Sequence, residues 1–176
     1  MTLPSHQPVM KLLRAAIDPA SHRTDASSPA DLPTGRLIAA TAHADADDQG
    51  MTRLSLLGAG TAMAAFGLTL EIAARNEQEP GAFLDSLAEA SQARGDREFP
   101  LAVDVIRRMF SDGFADGAEI LGSTFARSEQ EFLTLLLHLA NYCGTTIQLL
   151  ETQFGTPMED TLQDLSNALQ DTDTPA

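Results

Sequence analysis

Two stretches of this chain carry no charge at all, residues 54–70 and residues 132–150, seventeen and nineteen residues long. In both, the apolar side chains recur at helical spacing, so each reads as a helix that has to be covered by something. In the first, Leu54, Leu57, Thr61, Ala64, Ala65, Leu68 and Ile72 form one face, and Leu56, Gly60, Met63, Gly67 and Leu70 form another. A helix apolar nearly all round is normally buried, and its many Gly and Ala residues let neighbouring backbones approach closely, which predicts the central helix of a bundle. In the second, Leu136, Ala140, Cys143, Ile147 and Leu150 make the expected core face.

The remaining punctuation predicts more helices and no convincing strand. A helix over 80–94 begins at Pro80, turns Phe83, Leu84, Leu87 and Ala88 inward and stops at Gly95. Another begins at Pro100 with Val103, Ile106 and Phe110 inward, breaks at Ser111-Asp112-Gly113 and resumes over 115–125. Ser128 and Glu131 have capping-box spacing before a long helix that ends at Gly155. Thr156, Pro157 and Glu159 then open a last helix carrying Leu162, Leu165 and Leu169. The expectation is an all-α domain, a bundle of about five helices over 51–170, followed by a disordered tail at 171–176. Residues 1–50 are expected to form a flexible arm, with a short amphipathic helix at 9–17 built on Val9, Leu12, Leu13, Ala16 and Ile17. Residues 18–50, rich in Ala, Asp, Pro, Ser and Thr, offer too little apolar surface to offset the entropy of ordering them and read as linker, with at most a short extended segment at 36–41.

Composition narrows the function. The net charge is −14, and no Lys or Arg occurs in 128–176. Direct nucleic-acid binding needs clustered positive charge, so it is excluded. The lone Cys143 allows no intramolecular disulfide, which suits a reducing, cytoplasmic setting. The uncharged runs approach membrane-spanning length, but one is made largely of Gly, Ala and Thr. The other contains His138, Asn141 and Gln148 between acidic flanks, so buried soluble helices are the better reading. Met51-Thr-Arg before the first run would have the layout of a signal sequence only if translation began at Met51.

The candidate site is a stripe of neutral polar residues, Thr134, His138, Asn141, Thr145, Gln148 and Thr152, spaced four, three, four, three, four along one face of the helix over 128–154. A water-facing helix normally carries charge, so this stripe predicts contact with another surface, a second copy or a ligand. Other constellations fall short. His43 to Gly50 begins like a calcium loop but has Leu56 where the bidentate Glu belongs. Asp112, Asp116 and Glu119 share a helical face without an accompanying Glu-x-x-His pair. Cys143 and His138 lie about 140° apart around their helix and cannot pair within it. Gly58-x-Gly60 follows no strand, so it does not read as a phosphate loop. The expectation is therefore a non-catalytic, acidic, helical protein-interaction module, read as a homodimer or as the binder of another protein, with no metal or cofactor. The alternative is a small-molecule-binding or enzymatic domain whose pocket is lined by the stripe.

Overall fold

The computed structural model describes residues 6–22, 28–47, 52–93, 99–111 and 113–172. Among these there are eight α-helices, two short 3-10 turns and no strand. The helices are α1 His6–Ile17, α2 Pro33–Asp47, α3 Thr52–Arg75, α4 Pro80–Ala93, α5 Phe99–Ser111, α6 Phe114–Arg127, α7 Glu129–Phe154 and α8 Met158–Thr172. The protein is all-α, with its longest helix in the C-terminal half.

That longest helix, α7, is the axis of the bundle, packed by α1, α2, α3, α5, α6 and α8. Its predicted core face is fully buried: Leu136, Ala140, Cys143, Ile147 and Leu150 have no exposed surface. Local chemistry sets both ends. The Ser128 hydroxyl accepts the Glu131 amide at 3.2 Å, and Gly155, at φ 69°, takes the left-handed turn that ends the helix. The return half of the capping box does not form, because the Ser128 amide donates to Thr124 O at the end of α6 and the Glu131 carboxylate pairs with Arg127.

The N-terminal segment differs from the expected arm. In α1, Val9, Leu12, Leu13 and Ala16 are buried in the common core, and Gly144 of α7 lets the Ala16 carbonyl approach so closely that an added Cβ would lie 2.5 Å from it. Arg14 reaches α8 with a two-pronged pair to Glu159, at 2.7 and 2.9 Å. Residues 33–47, read as linker, form α2, and the extended segment foreseen at 36–41 lies inside it. The physical reason is that Ala is the best helix former, so this stretch needs few anchors. Thr34 and Ile38 supply them from its buried face. Asp45 supplies another: its carboxylate, 5% exposed, accepts the Arg53 and Leu54 amides at 3.2 and 2.7 Å and so caps α3 from the neighbouring helix. Asp45 is thus a helix cap rather than the opening of a calcium loop, whose residues 48–50 lie outside the described ones. The tail expected from 171 is helical to Thr172, and 173–176 lie outside the described residues.

By length and composition alone, one described segment, Arg53–Arg75, is apolar enough to cross a membrane, and 56% of its most apolar stretch is buried in the bundle.

Candidate interaction surface

The inward face of α3 is closed by contact with α7 and its neighbours, with Leu54, Leu57, Ala65, Leu68 and Ile72 at 2% exposure or less. The second apolar face of the same helix is directed outward. Leu56 is 51% exposed and Leu70 44%, and between them Ala59, Met63 and Phe66 are only partly covered. Leu56, Met63 and Leu70 repeat every seven residues, with Ala59 and Phe66 between them, which is the spacing of a seam made to receive another helix. On one side the seam is bounded by α1 and α8, where Gly60 backs onto Val9 and Gly67 onto Leu165. On the other, Phe66 stacks on Phe110 of α5 with ring centroids 4.3 Å apart. No charged residue interrupts α3 from 54 to 70. The expectation of an all-round buried helix is therefore corrected: one of its two apolar faces is open. The sevenfold repeat was the available signal, but only the tertiary arrangement determines which face is left uncovered.

The neutral stripe of α7 is divided among three settings. Thr134 and His138 line a cleft of about 640 Å³ beneath α2 and the 3-10 turn Pro29–Asp31, together with Pro29, Ile38, Leu133 and Leu137. The His138 ring meets Phe99 edge-on, with centroids 6.3 Å apart, and the Thr134 hydroxyl donates to Gln130 O. Asn141 is partly covered, and its Oδ1 is buried with no hydrogen-bond partner among the described residues. Gln148 Nε2 donates to Ile17 O at 2.9 Å and so holds the last turn of α1 beside a second cleft of about 650 Å³ that also touches Arg14 and Glu159. Thr145 and Thr152 are exposed, and the Thr152 hydroxyl bonds back to Gln148 O. The stripe is thus not brought together into one pocket.

The reactive groups near it are quiet. Cys143 is fully buried, its thiol faces Thr61 O at 3.8 Å, and burial pushes it well above the usual thiol range. Tyr142, 6% exposed, donates its hydroxyl to Thr69 Oγ1 at 2.6 Å, because the single Thr69 proton is already given to Ala65 O. Burial pushes this phenol up to about 12. At the α1–α8 pair, the hydrogen bond from Arg14 holds the Glu159 carboxyl below its ordinary range, and Glu159 in turn raises Arg14. Of the acids foreseen as a cation face, Asp116 is partly covered and Glu119 exposed, while Asp112 lies outside the described residues. Among the described residues, no group of three or more His, Cys, Asp or Glu is placed to hold a metal.

Fold and surface together define an acidic all-α bundle with one open helix face. In comparisons with protein-family models, curated proteins and solved structures, the chain matches none.

Proposed function

We propose that this protein is a non-catalytic protein-interaction module that docks, and self-associates, through the outward face of α3. The observation that carries the reading is the pairing of two half-exposed leucines, Leu56 and Leu70, on a charge-free seam of a chain whose net charge is −14. Elsewhere the charge keeps copies apart, and only a surface without charge lets them meet without Coulomb cost. Each leucine retains roughly half of the 1.5–3 kcal/mol that full burial of such a side chain contributes, so a partner laid on the seam recovers about 1 kcal/mol from each. The compartment that fits a single buried thiol and this surface is the cytoplasm. Light scattering after size exclusion at micromolar concentration is the test. Wild type should exceed the 18.7 kDa of one chain, and Leu70→Glu should return to it with its helical spectrum intact. A monomeric wild type, or a Leu70→Glu variant of unchanged mass, would contradict the reading.

The cleft beside Thr134 and His138 supports a second reading, a site for a small, largely apolar molecule with one polar end directed at His138. Its test is a thermal-shift screen in which a binder raises the wild-type midpoint but leaves Leu133→Trp, which fills the cleft, unmoved.

A further inference from the structure

We infer that the occupant of the α3 seam is a second copy of α3, lying antiparallel about a two-fold axis at Met63, with Arg53 of each copy set against Glu71 of the other. The inference rests on the docking reading above and adds partner, orientation and register to it. The seam is symmetric about Met63: Leu56 lies seven residues before it and Leu70 seven after, and these are the two most exposed large apolar side chains among the described residues. A perpendicular two-fold axis at Met63 therefore lays Leu56 on Leu70 of the other copy and Met63 on itself, a self-complementary contact.

The charges select the direction. The first charged residue before the seam is Arg53 and the first after it is Glu71, eighteen residues apart. Eighteen residues are five full turns at 3.6 residues per turn, so both sit at the same angle, on one flank of the seam. Their midpoint falls one residue from Met63. Under an antiparallel two-fold operation a flank maps onto the same flank with its ends exchanged. Arg53 of each copy then faces Glu71 of the other, and the pair occurs twice. A parallel two-fold would instead carry Arg53 and Glu71 of the second copy to the opposite flank of the interface, so neither pair would form. Glu71 is exposed and already paired with Arg75 of its own helix at 2.7 Å, but Asp164 of α8 lines the same depression. Two acids there meet one base, and an incoming Arg53 balances the count. Ala59, small and only partly covered, lies in the seam and lets the two backbones come close.

Cysteine pairing reads the register directly, because the native Cys143 is fully buried and does not compete. Under mild oxidation of the full chain, Met63→Cys should cross-link to itself. Leu56→Cys alone and Leu70→Cys alone should not, and a mixture of the two should give the mixed dimer. Separately, Arg53→Glu and Glu71→Arg should each weaken self-association about tenfold at low salt, and the double variant should recover most of the loss. A dimeric wild type together with a Leu56→Cys variant that cross-links to itself would overturn the antiparallel register and leave self-association standing. So would a dimer whose double variant shows no recovery. A monomeric wild type would remove both the inference and the self-association it rests on.

Discussion

Gln148 and Thr145 stand three residues apart on α7, and a charge placed at each should have different consequences. Gln148 gives its amide proton to the Ile17 carbonyl at the C-terminal end of α1, where the helix dipole is already negative. Gln148→Glu removes the donor and sets a carboxylate against that carbonyl, so it should lower stability by about 1–3 kcal/mol at neutral pH. Thr145 is exposed, and Thr145→Glu should stay within about 0.5 kcal/mol. Denaturant midpoints of the two variants check the contrast, and equal losses would show that α1 is not held as described. Tyr142 provides a pH signature, since it is the only tyrosine and there is no tryptophan. Its phenol ionises near 10 in the unfolded chain and near 12 in the fold, because burial disfavours the anion. Below pH 10 it is neutral in both states and stability is unaffected. Between 10 and 12 the unfolded chain loses the proton first, so this group should cost the fold up to about 1.4 kcal/mol per pH unit over that window. Phenolate absorbance of the folded protein should rise near pH 12. A midpoint near 10 without unfolding would mean that Tyr142 is solvated.

At the scale of the helices, legibility in the sequence followed how local each cause was. α3 to α8 could be read because their signals lie within a few residues of their ends: Pro80 at a helix start, Ser128 as a cap, Gly155 as a left-handed stop. α2 could not, because its decisive contacts are remote. Asp45 holds the first amides of α3, and Ile38 and Thr34 are covered only once α2 lies on the bundle, so composition alone made the segment look like linker. The candidate site was split in the same way. The polar stripe on α7 could be read from its spacing, but its division between the His138 cleft, the Gln148 contact and exposed Thr145 depends on where α1 and α2 settle. Asp45→Ala would leave the buried Leu54 amide without its acceptor and remove the one the part-buried Arg53 amide uses, and should cost about 1–2 kcal/mol, as loss of a helix cap does. A change below about 0.3 kcal/mol in the denaturant midpoint would contradict this account of how α2 and α3 are joined.

The molecule combines a closed core around α7, a net charge of −14 and, among the described residues, a charge-free apolar seam along α3. One face of that helix seals the core and the other is open, so its apolar character runs nearly all the way round. The most direct measurement is the labelling rate of an Ala59→Cys variant by a thiol reagent across a dilution series. Ala59 lies within the seam, the substitution keeps Leu56, Met63 and Leu70 in place, and the buried native Cys143 stays silent. Labelling should be fast at nanomolar protein and slow by at least tenfold as concentration rises through the micromolar range and the seam is covered. A labelling rate that is the same at every concentration would mean that the outward face of α3 meets water and not another copy.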